Sequence, residues 1–203
     1  MMKAMAKYVI GAIVIILIAL SGYYAWQAFG TAALPSPTPS AVPTMSTYAT
    51  STFSIQYPSN FTLDESYTYD QFEGKPIAGV SFTIPASAAE GTNLSSNTYI
   101  AVEWLPRAKN CTGDIYIVPN VKAFELTVGT TTYSVATTTG AAAGNIYEEQ
   151  VYALIGSKPC TAVRYLLHST NIGNYEPGTV QEFDRTTLLE SFNEVRDSLI
   201  LSQ

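Results

Sequence analysis

The sequence predicts an α+β fold, an antiparallel β-sheet flanked by a C-terminal helix and preceded by one N-terminal transmembrane helix. Three observations carry this. Residues 8–29 hold no charge and follow directly on Lys3 and Lys7. From residue 53 to residue 169, short apolar runs alternate with polar residues and break at Gly, Pro and Asn, the mark of half-buried strands joined by turns. Near the end the period changes, and Leu188, Phe192, Val195 and Leu199 recur at helical spacing. The chain divides into a cytoplasmic N-terminus (1–7), a transmembrane helix (8–29), a Pro/Ser/Thr-rich linker (30–47) and an extracytoplasmic domain (48–203).

An apolar segment of about 20 residues is long enough to cross a bilayer as one helix. Tyr23, Tyr24, Trp26 and Phe29 close the segment with rings that favour the headgroup boundary. Lys3 and Lys7 are the only charges before Asp64, so the positive-inside tendency keeps the N-terminus in the cytoplasm and sends the rest outward. The rival reading is a signal peptide cut near Ala28-Phe29-Gly30 or Gly30-Thr31-Ala32, followed by secretion. The aromatic extension favours a retained anchor, and both readings place the domain outside the cytoplasm.

Pro35, Pro37, Pro39 and Pro43 sit among Ser, Thr and Ala, a composition that buries too little apolar surface to fold and reads as a spacer. The formal net charge is −6, and setting Lys3 and Lys7 aside leaves eight basic against sixteen acidic residues, or −8. Such a domain repels phosphate backbones, which argues against nucleic acid as a partner. The expected partners are the bilayer, through the N-terminal helix, and an unidentified envelope protein or ligand.

Within the domain, Phe53, Ile55 and Tyr57 alternate with Ser54 and Gln56 and predict a strand ending at Pro58. Residues 61–70 and 77–84 predict a hairpin turning near Glu73-Gly74-Lys75-Pro76, with Val80, Phe82 and Ile84 on one face. Residues 85–97 read as a loop and 99–105 as a strand with Ile100, Val102 and Trp104 on one side; 110–118 fits a short helix or an irregular turn. Residues 123–128 and 132–137 flank Gly129 as a second hairpin, and Gly140-Ala141-Ala142-Ala143-Gly144 reads as a connection. Residues 145–155 and 160–169 pair across Gly156-Ser157-Lys158-Pro159. A register centred on Ser157 sets Val151 opposite Val163 and Tyr147 opposite Leu167, and places Arg164 diagonal to Glu148 as a surface ion pair. Asp184 is the expected N-cap of the last helix, with Phe183 and Leu188 as a staple.

Cys111 and Cys160 are the only cysteines, and outside the cytoplasm they predict one disulfide. Two cysteines without a Cys-x-x-Cys spacing imply neither a redox motif nor a zinc site. The glycine-alanine run lacks the P-loop lysine and the spaced glycines of a dinucleotide fingerprint, so no cofactor is implied. His168 is the only histidine; no Gly-x-Ser-x-Gly elbow accompanies it, and no catalytic residue is assigned. A candidate surface site comprises His168, Arg164 and Glu148. Asn60, Asn93 and Asn110 open glycosylation acceptor patterns, at the frequency expected in a chain rich in Ser and Thr. Tyr67, Tyr69, Tyr99, Tyr133, Tyr147, Tyr152, Tyr165 and Tyr175 read as core edges, or as a recognition surface.

Phe53-Ser54-Ile55-Gln56-Tyr57-Pro58-Ser59-Asn60-Phe61 resembles the start of PsbP/Mog1-like domains, with an alternating strand, Tyr-Pro and a following aromatic. Phe183-Asp184 and Leu188-Leu189-Glu190-Ser191-Phe192 are similar to their last helix. The whole plan resembles uncharacterised bacterial single-pass proteins with such a domain outside the membrane. The resemblance implies an antiparallel sheet with flanking helices and supplies no catalytic residues. The anchor, the spacer, the missing catalytic motif and the acidic, tyrosine-rich domain lead to the function expected, a membrane-anchored, non-catalytic binding or interaction module. The alternatives are an envelope hydrolase using distant carboxylates or His168, and a structural subunit of an envelope complex.

Overall fold

Alternation of large and small side chains gives the central strands two unlike faces, and these faces organise the structure. The computed structural model describes residues 44–202. The expected membrane segment and nearly all of the expected linker lie outside these residues. Among the described residues no helix is long and apolar enough to cross a membrane.

The strands are β1 (Met45–Ala49), β2 (Phe53–Pro58), β3 (Thr62–Asp64), β4 (Thr68–Tyr69), β5 (Ile77–Thr83), β6 (Tyr99–Leu105), β7 (Phe124–Val128), β8 (Thr131–Ala142), β9 (Asn145–Leu154), β10 (Cys160–Thr170) and β11 (Ile200–Leu201). One short helix, α1 (Ala86–Ala89), lies in the loop after β5, and α2 (Arg185–Asp197) follows β10. The main sheet runs β3-β5-β6-β10-β9-β8-β7, with β4 also on β5, and a smaller sheet runs β1-β2-β11. Every strand pair is antiparallel. The expected α+β class, an antiparallel sheet with a C-terminal helix, is what the chain forms.

The first face of the main sheet carries the bulk. Val80, Phe82, Ile100, Val102, Tyr152, Leu154, Val163, Tyr165 and Leu167 form one buried cluster with Phe192 and Val195 of α2. The small sheet closes part of it, with Tyr57 4.5 Å from Phe82 and Phe53 6.2 Å from Trp104 between ring centroids. The Asp184 carboxylate accepts from the Thr187 N–H at 3.0 Å and caps α2 as expected.

The second face is paved with small residues. Direct cross-strand neighbours Gly79, Glu103 and Ala162 share it, as do Ser81, Ala101 and Arg164. Tyr69, Ile77, Tyr116 and Ile117 pack on it as a second buried cluster, with Ala136, Val151 and Ala153 beneath. A Cβ on Gly79 would lie 2.6 Å from the Val102 carbonyl and 3.0 Å from the Tyr67 ring, so only glycine lets Tyr67 lie this close to β5. Segment 65–76, which includes β4, and loop 106–123 thereby cap this face.

Several expectations need correction. β1 starts at Met45, inside the expected 30–47 linker, and β11 adds a strand after the last helix; both are short edge pieces whose patterns are too brief to register. β8 runs to Ala142, so the glycine-alanine run is not a free connection: Ala143 (φ 51°) and Gly144 (φ 83°) alone make the turn to β9. The β9–β10 register is one residue off the expected one. Val151 opposes Arg164, Tyr152 opposes Val163 and Tyr147 opposes His168. Every residue from Cys160 to Tyr165 is buried, so this end of β10 shows no alternation from which to choose between registers.

Candidate functional site

That one-residue slip decides the chemistry around Arg164. With Val151 on one side and Ala101 on the other, the diagonal neighbours of Arg164 are Glu149 on β9 and Glu103 on β6. Arg164 and Glu103 are both fully buried. The guanidinium donates to Glu103 through Nε at 2.6 Å and Nη2 at 3.0 Å, a bidentate pair. It also donates to Glu149 and, at 2.5 Å, to the Tyr116 carbonyl. The Tyr69 ring lies 3.6 Å from the guanidinium carbon. The Tyr67 hydroxyl donates to Glu103 at 2.8 Å and the Tyr69 hydroxyl to Glu149 at 3.1 Å.

Charge balance follows from this packing. Burial pulls the Arg164 guanidinium down, but Glu103 beside it outweighs that and holds it above its ordinary value. Burial also raises the hydroxyls of Tyr67, Tyr69 and Tyr116 well above the usual tyrosine range. Burial pushes Tyr99 up to about 12. All four stay neutral, and the pair Glu103–Glu149 is spanned by one permanent cation. Where Glu103 and Glu149 converge, Arg164 already occupies the space between them.

The expected surface site does not assemble. Arg164 is internal and pairs with Glu103 and Glu149, not with Glu148. Glu148 lies on the opposite face of β9, where Arg185 of α2 pairs with it at 2.6 Å. His168 shares the Arg164 face but stacks on its cross-strand partner Tyr147 at 4.4 Å. Its Nδ1 lies 2.6 Å from Asn97 Oδ1, and its Nε2 is buried without a partner. Burial holds the imidazole below its ordinary value.

The tyrosines also belong inside. Tyr133, Tyr152 and Tyr165 are buried on the first face, and Arg196 of α2 lies over Tyr152 at 4.6 Å and Tyr133 at 5.5 Å. Of those considered for a recognition surface, Tyr175 alone is exposed. Asn93, considered above as a glycan acceptor, is buried: its amide donates to the Thr170 carbonyl and accepts from the Phe183 N–H. Its signal in the sequence is weak, because a buried bridging Asn and an acceptor Asn look alike.

Cys111 and Cys160 are joined, with their Cα atoms 5.1 Å apart, consistent with an oxidising, extracytoplasmic compartment. The bond ties loop 106–123 to the start of β10. Gly113 seats the same loop: its N–H donates to Ser134 Oγ at 3.1 Å, and a Cβ there would lie 2.7 Å from the Ala136 nitrogen. Between this loop and Lys75-Pro76 opens a groove of about 940 Å³. Half-buried Leu105 and Ile115 line its apolar part, while exposed Lys75, Arg107 and Lys109 supply cations. A second groove, of about 650 Å³, adjoins it through Thr112 and Asp114 and carries Lys122. Among the described residues no group of three or more His, Cys, Asp or Glu is placed to hold a metal ion.

No family model matches this chain, and no curated protein matches it. Among solved structures it is similar to a protein from Bacteroides thetaiotaomicron VPI-5482, at 13% identity and a TM-score of 0.40; the match covers 74% of this chain and 45% of that one. The chain thus spans under half the length of that structure, and a likeness this distant says nothing about activity.

Proposed function

We propose that this chain is a non-catalytic binding module, held outside the cytoplasm by a membrane helix at residues 8–29. The disulfide supports the compartment, and the uncharged segment behind Lys3 and Lys7 supports the anchor. The antiparallel sheet with its closing helix is compatible with a PsbP/Mog1-like plan. One observation carries the non-catalytic half. Glu103 and Glu149, acids that the fold brings together, both bind Arg164 beneath Tyr67 and Tyr69. A glycosidase pair needs one carboxyl free to give a proton and room for a sugar between the two; here the guanidinium takes that room.

Two measurements test the reading. Alkaline phosphatase fused after Gln203 of the full chain is active only if translocated, and should be active in the membrane fraction. A reporter that works only in the cytosol overturns the topology. Incubated with envelope polysaccharide and peptidoglycan, the purified full chain should release no soluble fragment. Release that disappears in Glu103→Gln or Glu149→Gln would make it a hydrolase instead.

A further inference from the structure

Among the described residues, Lys75, Arg107, Lys109, Lys122 and Lys158 are the cations that form no salt bridge. Four of these five line the two adjoining grooves, and three line the larger one. In a domain with twice as many acids as bases, this gathers the free positive charge in one region. Asp114 is the carboxylate lining the larger groove, so three cations face one acid there. The walls are fixed in advance by the disulfide at Cys111 and the close seat of Gly113, which lowers the ordering cost of binding.

We infer that this groove binds an extended acidic peptide segment of a partner protein. The peptide carboxylates sit on Lys75, Arg107 and Lys109, and its aliphatic side chains pack on Leu105 and Ile115. The inference rests on the binding-module reading and gives its ligand a chemistry. Charge complementarity selects an anion. The lining selects a peptide over an acidic polysaccharide: it contains Pro76, Leu105, Pro106 and Ile115 but no aromatic ring, and sugar faces pack on aromatic platforms. The chain's own linker is not the occupant, because residues 8–63 contain no acid.

The test uses the full chain in non-ionic detergent and fluorescence anisotropy with a labelled alternating Glu-Leu peptide. Saturable binding that weakens with added NaCl is expected. Lys75→Glu and Arg107→Glu should each weaken it by about tenfold or more, while Lys158→Glu, outside the groove, leaves it unchanged. Lys75→Gln and Lys109→Gln give smaller losses of the same sign and keep the test open if a reversal disturbs folding. Absence of saturation, equal binding of a Lys-Leu peptide, or indifference to these substitutions overturns the assignment. Tighter binding of polygalacturonate overturns the peptide in favour of a glycan. The phosphatase fusion keeps the two failures apart: an outward domain that ignores the Glu-Leu peptide loses this inference but not the topology.

Discussion

Arg164 holds together groups that would not otherwise be buried together. Each of its acid partners comes from a different neighbouring strand, and each also takes a tyrosine hydroxyl from the capping segment 65–76. Removing the cation leaves two carboxylates stranded under Tyr67 and Tyr69. Arg164→Met should therefore cost about 3–5 kcal/mol in urea unfolding. Adding Glu103→Gln and Glu149→Gln to it should restore much of that, since the uncompensated charge is gone; a loss below about 1 kcal/mol for the single change would show the acids regaining water. His168 gives a pH signature. With Asn97 Oδ1 as acceptor, Nδ1 carries the proton, and a second proton on the buried Nε2 would find no acceptor. The folded imidazole thus titrates below the unfolded one. The unfolded state binds the proton first, so this stability is complete above about pH 6.5 and is lost as pH falls through the lowered folded value. Subtracting the pH–stability curve of His168→Gln from that of the wild type should leave a difference confined to that window. A flat difference would mean the ring is hydrated. At this scale the sequence was only partly readable. Arg164 and His168 stand out by type, yet choosing Glu149 over Glu148 needed a register that β10, buried on both faces at that end, does not reveal.

Elements were more legible than contacts, for a physical reason. β2 buries alternating positions, Phe53 and Ile55, and in β5 and β6 large apolar side chains such as Val80 and Phe82, or Ile100 and Val102, alternate with small or polar ones; a period of two is visible in one dimension. The cap and stripe of α2 were visible in the same way, through Asp184, Phe192 and Val195. Elements whose own pattern is too brief or too uniform to alternate were not visible. β1 and β11 exist because β2 offers them an edge, and the end of β8 is a strand because β9 folds back on it across Ala143-Gly144. The helix makes the sharpest test at this scale. Phe192 is fully buried and lies 5.3 Å from the Tyr165 ring, and the Tyr165 hydroxyl donates to the Phe192 carbonyl. Phe192→Ala should destabilise by about 3–5 kcal/mol with little change in the urea m-value. A change under about 0.5 kcal/mol would mean that α2 does not seal the first face.

For the molecule as a whole, the disulfide is the covalent tie between the sheet and one of its two covering layers. The first face is closed by α2 and the small sheet, which contribute large apolar side chains. The second is closed by two loops lying on small residues and a charged cluster, so its cap has less apolar area to hold it down. Cys111 joins that cap to Cys160 across a separation of 49 residues, and closing such a loop restricts the unfolded chain by about 3–4 kcal/mol. Tyr116 adds a hydroxyl hydrogen bond to the Cys160 carbonyl at 2.7 Å. Replacing both cysteines by serine should therefore lower the unfolding free energy by about 3–4 kcal/mol. Because the loss falls on one cap, local opening should precede global unfolding. Arg107 and Lys109 are exposed on that loop, so trypsin should cut there faster in the double serine variant, while the α2 side stays protected. Intact mass under non-reducing conditions should lie two hydrogens below the reduced value. If trypsin cuts both forms at the same rate, Gly113 and Tyr116 hold the cap by themselves, and the groove keeps its shape without the bond.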